Sequence, residues 1–236
     1  HLGWRGPSRV IVTACAGGTH AVAEGADLIR SGRCDVVVAG GSQGRITPVL
    51  MAAYRNLRVL SPTGWVRPFD RRRDGFAFAE GAAARVLEPL DAAVARGARI
   101  YAEVLGSGHT NDADSLVSPS GSGAVECIED ALADAGLDAG DIVHVNAHGT
   151  GTTVNDVQEA EALHQAYDES GERLMHLQAS IEGYDAFARS LTIGAETMVM
   201  RFRPELPMHD RYAVQHDFLS SDAGLEVLAI SKLINA

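Results

Sequence analysis

Three cysteines, Cys15, Cys34 and Cys127, are too few and too scattered to staple a fold with disulfides. No Cys-x-x-Cys pair and no Cys/His spacing suggests a zinc site, so reduced thiols and a cytoplasmic setting are the default expectation. No stretch is long and apolar enough to span a bilayer, and His1-Leu2-Gly3-Trp4 lacks the form of a signal peptide. Positive charge is in deficit: 20 Lys and Arg face 31 Asp and Glu, a formal net charge of -11. That balance argues against nucleic acid and anionic membrane as main partners. What remains is a chain of 236 residues, 46% hydrophobic, able to bury the core of one large domain or two small ones.

Strand and helix patterns alternate along it. Val10-Ile11-Val12 reads as an apolar strand leading into Thr13-Ala14-Cys15-Ala16. Behind it Val22, Ala26 and Ile29 share one helical face, closed by Gly32. Asp35 to Gly41 reads as a buried strand ending in glycines, and Arg45 to Leu60 mixes helical and turn signals around Pro48. Phe76 to Leu87 could hold a strand pair; Leu90, Val94 and Gly97 suggest a short capped helix, and Ile100 to Leu105 alternates as a strand. A polar loop over 111–123 precedes a helix with Val125, Ile128, Leu132 and Ala135 inward, stopped by Gly136. Ile142 to Asn146 is the next strand, and a helix from Asp156 should turn Val157, Ala160, Leu163 and Tyr167 inward. Past residue 168 the texture becomes irregular, with a terminal helix expected over 225–234. The alternation predicts an α/β class with a largely parallel sheet.

Two segments carry chemistry. A thiol between a strand and a helix N-terminus meets unpaired N–H groups and the positive end of the helix dipole, which favour the thiolate. Cys15 so placed is a candidate nucleophile for acyl transfer, against the plainer reading of a packing cysteine. In Val145-Asn146-Ala147-His148-Gly149-Thr150-Gly151-Thr152 a histidine leaves a strand end, where open α/β sheets bind ligands. Its imidazole could move a proton near a reacting carbonyl; a structural histidine is the alternative. Gly40-Gly41-Ser42-Gln43-Gly44 also fits the G-x-S-x-G pattern of serine hydrolases, but Pro48 and weak periodicity argue against the helix that a nucleophile elbow at Ser42 needs. Arg67, Arg71, Arg72 and Arg73 form a local basic patch around Asp70 and Asp74, read as a solvated face or as a surface for an acidic protein.

Taken together, Thr13-Ala14-Cys15-Ala16, Arg67-Pro68-Phe69-Asp70, Arg73-Asp74-Gly75-Phe76, Glu80-Gly81 and Asn146-Ala147-His148-Gly149-Thr150-Gly151-Thr152 resemble, in order, the motifs of the β-ketoacyl-[acyl-carrier-protein] synthase family. The likeness spans roughly residues 7 to 167 and is nearest to the elongating fatty-acid and aromatic polyketide types. It implies a thiolase-like fold, with mixed, largely parallel sheets layered with helices. It also implies a decarboxylative condensation between acyl and malonyl thioesters. Cys15 would take an acyl group from an acyl carrier protein, His148 would stabilise the malonyl enolate, and the Cys15 N–H would serve as an oxyanion donor. Thr150 and Thr152 match the family threonines that bond the pantetheine arm. Asp156 and Glu159 match positions behind the motif, where a helix cap and a capping box are the alternative reading. No cofactor beyond the carrier's phosphopantetheine is implied, and the partner would be a second copy or a ketosynthase-like subunit.

The chain also departs from the family. Its lysine upstream of a second catalytic histidine has no counterpart, since Lys232 is the one lysine present. His176, in His176-Leu177-Gln178-Ala179-Ser180, is the candidate second histidine, with Met175 where a glycine is expected. The C-terminal glycine-rich loop that supplies a second oxyanion donor is missing, and losing one such donor typically costs about 100- to 1000-fold in rate. With Cys15 so near the start, the fold is expected to be incomplete: 1–98 as the end of the first thiolase-like half, 99–167 as the start of the second, and 168–236 as a divergent tail. Two other readings keep the resemblance: a degraded partner that binds acyl chains, and an acyltransferase that uses Cys15 and His148 without condensation.

Overall fold

A computed structural model of the chain describes residues 3–115, 118–142 and 145–167, with the backbone of three further strands at 189–192, 196–202 and 226–230. The helices are α1 (Gly17–Arg30), α2 (Pro48–Asn56), α3 (Leu90–Ala95), α4 (Ser122–Ala135) and α5 (Asn155–Tyr167). The strands are β1 (Val37–Gln43), β2 (Gly81–Pro89), β3 (Ala102–His109), β4 (Val145–Asn146), β5 (Arg189–Thr192), β6 (Glu196–Phe202) and β7 (Glu226–Ile230). They form one sheet in the order β1-β2-β7-β3-β6-β5-β4. The class is α/β, but the sheet is more mixed than the alternation suggests: ladders β2–β7, β3–β7 and β4–β5 are parallel, while β1–β2, β3–β6 and β5–β6 are antiparallel.

Two apolar clusters mark the helix positions. In the first, Val22, Ala26 and Ile29 of α1 meet Ala39, Leu87, Ala102 and Val104 of β1, β2 and β3. In the second, Ile128, Ala131, Leu132 and Ala135 of α4 meet Leu105, Val145, Leu163 and Tyr167. These are the faces the 3.6-residue spacing predicts for α1 and α4. Gly32 and Gly136 stand behind the helices at φ 70 and 63, a left-handed conformation that glycine adopts without steric penalty. Thr47 caps α2 by accepting the Leu50 N–H at 3.2 Å, with Pro48 in the first turn.

The close seat of α4 on β3 requires glycine. A Cβ at Gly108 would overlap the Cys127 carbonyl oxygen and lie 2.9 Å from the Ala131 nitrogen, both backbone atoms that cannot swing aside. Gly108→Ala is therefore expected to cost about 1–3 kcal/mol by overpacking, read as a lower urea midpoint with an unchanged slope.

Three expectations are corrected. Residues 7–13 form no strand, and Val10 and Val12 are 90% and 85% exposed. A strand needs a neighbour for its N–H and C=O groups, and among the described residues none pairs with this segment: β1 faces it across a groove and is hydrogen-bonded only to β2. The expected terminal helix is instead strand β7, inserted parallel between β2 and β3. The continuous apolar run Val227-Leu228-Ala229-Ile230 suits a strand flanked on both sides, and tertiary pairing overrides local helical propensity. Of the strand pair expected over 76–87 only β2 forms, while Phe76 makes a lone bridge to Leu60. No helix among the described residues is long and apolar enough to cross a membrane.

Candidate active site

Cys15 sits in a 3-10 turn, Ala14–Ala16, that runs directly into α1. Ala14 has φ 51, a left-handed elbow that presents the thiol at the surface ahead of the helix. The N-terminus of α1 packs closely on the end of β1: a Cβ at Gly41 would lie 3.1 Å from the Gly18 Cα. This contact gives the Gly40-Gly41 run a packing role. Ser42 lies inside β1 rather than on a strand-to-helix turn, so the serine-elbow reading has no geometry behind it.

His148 follows β4 and is brought to Cys15. The imidazole hydrogen-bonds the thiol and holds its pKa below the ordinary thiol value, against an opposing push from burial; the His148 charge and the cysteine's own N–H add to the lowering. Cys15 opens on a groove of about 1010 Å³ between residues 4–12, α1 and β1. His148 lines a second cleft of about 280 Å³ with Asn111, Asp112, Gln158 and Glu159. The thiol–imidazole contact thus lies at the border of two cavities.

The loop carrying His148 hangs on two buried carboxylates. Glu159 accepts the His148 N–H at 2.6 Å, the Gly149 N–H at 2.8 Å and the Asn155 side-chain amide at 3.3 Å. Burial raises its pKa, and the Gly149 and His148 N–H groups pull it back. Asp156 accepts the Gly151 N–H at 3.0 Å and, from far away in sequence, the Phe69 N–H at 2.7 Å. The capping reading is therefore corrected: neither carboxylate caps α5, and both close the loop before it. The same demand explains why Val157 is 41% exposed where an inward position was expected. The helix is rotated so that Asp156 and Glu159, with Leu163 and Tyr167, face the interior. Buried N–H donors left without acceptors would cost more than a valine left in water.

Thr150 and Thr152 are tied within the loop, their hydroxyls 2.8 Å apart, with the Thr152 hydroxyl accepting the Asn155 N–H at 3.3 Å. Residues 67–75 fasten this loop from outside. Arg73 donates to the carbonyls of Thr152 at 3.1 Å and Thr153 at 3.4 Å, and the Gly75 N–H donates to the Gly151 carbonyl at 2.8 Å. Within the basic patch Arg72 is paired with Asp70 at 3.0 Å and Arg67 with Asp74 at 3.8 Å. Nothing in the order of residues 67–75 specifies these contacts with the histidine loop, which lies some eighty residues downstream. His176 lies outside the described residues. Among the described residues no cluster of three His, Cys, Asp or Glu could hold a metal ion.

Fold and site together define an α/β protein whose cysteine–histidine pair suits acyl transfer. Comparison with known proteins narrows the class. Residues 1–93 match the β-ketoacyl synthase N-terminal domain, and residues 101–180 match the β-ketoacyl synthase C-terminal domain. The chain belongs to the β-ketoacyl synthase family. It is 36% identical over 207 residues to 3-oxoacyl-[acyl-carrier-protein] synthase 2 of Staphylococcus aureus, covering 81% of this chain and 51% of that protein. It is 44% identical over 166 residues to nodulation protein E of Rhizobium sp. (strain N33), covering 70% of this chain and 41% of the other. A solved type II polyketide ketosynthase, bound to the hexaketide and in complex with its acyl-carrier protein, superposes with TM-score 0.73 at 25% identity, over 82% of this chain and 62% of that one. The fold is the thiolase-like fold of the ketosynthases. The chain spans about half the length of the curated relatives it matches.

Proposed function

We propose that this chain acts as a condensing enzyme on carrier-bound thioesters in fatty-acid or polyketide synthesis, with Cys15 as nucleophile. The observation that carries the reading is the approach of the His148 imidazole to a thiol whose pKa is lowered. The Cys15 thiolate attacks an acyl thioester, a new C–S bond forms, and the pantetheine thiolate leaves and takes up a proton. A malonyl thioester then loses carbon dioxide. The electron pair of the broken C–C bond becomes an enolate, which attacks the Cys15 thioester and expels the thiolate. His148 donates to the enolate oxygen, the Cys15 N–H to the oxyanion, and Thr150 and Thr152 to the pantetheine arm. Asp156 and Glu159 support the loop. His176 remains the candidate second histidine.

The groove beside Cys15, with Ile11, Val12, Ala21 and Leu28 in its wall, offers apolar lining for an acyl chain. An acyl carrier protein in the cytoplasm delivers the substrates and the phosphopantetheine. The outer edge of β1 and the exposed Val10 and Val12 support pairing with a second ketosynthase-like chain, a copy or a different subunit. The division into 1–98, 99–167 and 168–236 belongs to the same reading, the first two segments being parts of successive thiolase-like halves.

Intact-mass labelling with cerulenin, a covalent ketosynthase inhibitor, tests it. Stoichiometric labelling that disappears in Cys15→Ala is expected, together with release of carbon dioxide from a malonyl thioester. Labelling without decarboxylation would replace condensation by acyl transfer. A folded protein that takes no label would leave an acyl-binding partner.

A further inference from the structure

Among the described residues, four non-glycines adopt left-handed backbone: Ala14, Arg58, Phe69 and Ala113. Ala14 adjoins the nucleophile. Phe69, at φ 59, is the bulkiest side chain among them, and such a residue persists there only where its surroundings impose it. The imposing group is Asp156, 2% exposed, whose carboxylate accepts the Phe69 N–H at 2.7 Å while also accepting the Gly151 N–H at 3.0 Å. The result is a close contact with the residue that follows His148. A Cβ at Gly149 would lie 3.1 Å from the Pro68 Cβ and 3.4 Å from the Phe69 ring. On its other side Gly149 is held through its N–H by Glu159 at 2.8 Å. The histidine loop is thus clamped between a carboxylate and a strained Pro-Phe step brought in from a distant part of the chain.

We propose that Phe69 is a positioning residue: its left-handed backbone, fixed by Asp156, lays Pro68 and the ring against Gly149 and so sets the place of the His148 imidazole relative to the Cys15 thiol. The inference rests on the reading of Cys15 and His148 as the working pair. Phe69 itself touches no reacting atom. Its ring and Pro68 add a packing contact at Gly149 to the Arg73 and Gly75 hydrogen bonds that fasten residues 67–75 to the histidine loop.

The test is the pH dependence of Cys15 alkylation by iodoacetamide, followed by mass on the Cys15 peptide and compared among wild type, Phe69→Ala, Phe69→Gly, Phe69→Tyr and His148→Ala, with folding checked by far-UV circular dichroism. Phe69→Gly removes the ring together with the strain, so it folds at least as readily as Phe69→Ala. Both are expected to move the alkylation midpoint upward towards that of His148→Ala, slowing the reaction at neutral pH by about tenfold for each unit moved. Phe69→Tyr keeps the ring and should keep the wild-type profile. Phe69→Gly added to His148→Ala should change nothing further. A folded Phe69→Gly with the wild-type midpoint overturns the inference, as does failure of both small variants to fold, which would make Phe69 a residue of stability alone. A wild-type midpoint in the ordinary thiol range, unmoved by His148→Ala, overturns the underlying pair instead.

Discussion

His148→Ala is expected to lower the condensation rate about 10²–10⁴-fold, the usual range for losing a positioned proton-transfer group. It should also raise the pH at which Cys15 becomes reactive. Both effects share one cause. The imidazole's hydrogen bond is the largest influence holding the thiol below its ordinary value, and its charge adds to it. Without it, burial, which raises the value, is opposed only by the cysteine's own N–H. The alkylation profile and the release of carbon dioxide from a malonyl thioester can be measured on the same preparation. A fall in decarboxylation with no change in the thiol profile would place His148 on the malonyl side alone. A change in neither would remove it from the chemistry. His148 is exposed and none of the described core is built on it, so the variant should fold.

Glu159→Ala is expected to cost about 2–4 kcal/mol, because it strands the half-buried N–H of His148 and the buried N–H of Gly149, and each unsatisfied donor costs about 1–3 kcal/mol. Chemical denaturation measures the loss. Glu159→Gln keeps an acceptor oxygen for one of the two donors and should cost less. The pair also predicts a pH dependence. Burial sets the folded pKa of Glu159 above its unfolded value, so the carboxyl's contribution is full below the unfolded value and is lost as pH rises through the folded one. The stability advantage of wild type over Glu159→Gln should therefore shrink from acid towards neutral pH. An advantage that grows over that range would mean the N–H donors outweigh burial. Because the same carboxylate holds the histidine loop, Glu159→Ala should also raise the alkylation midpoint of Cys15, whereas a change in stability with no change in the thiol would confine Glu159 to folding.

The two largest effects fall on residues that were legible in different ways. Cys15 and His148 could be found because each ends an apolar run and opens into a small-residue turn, a pattern written in adjacent residues. Glu159 was visible as a supporting position, but its partners were not: a helix-start carboxylate looks equally like a cap unless one knows that two N–H groups from the preceding loop fold back over it. Arg73 and Phe69 had no local signature, since their partners are Thr152, Thr153 and Asp156, which only the folded chain brings near.

The amino-acid sequence by itself determined what depends on near neighbours. It set α1 and α4 with their buried faces and glycine ends, the place of β1, and the thiol at a helix start, although β1 runs on past its glycines to Gln43 as a half-buried edge strand. It also carried the order of motifs that identifies the family. Tertiary structure alone decided what depends on distant partners. It left Val10 to Val12 out of a strand because no described strand pairs with them, and made 226–230 the strand that joins β2 to β3. It rotated α5 to send two carboxylates inward and turned residues 67–75 onto the histidine loop. The division has a physical basis: helix periodicity and capping are satisfied within a few residues, whereas sheet edges and buried carboxylates need donors and acceptors that only the assembled fold supplies.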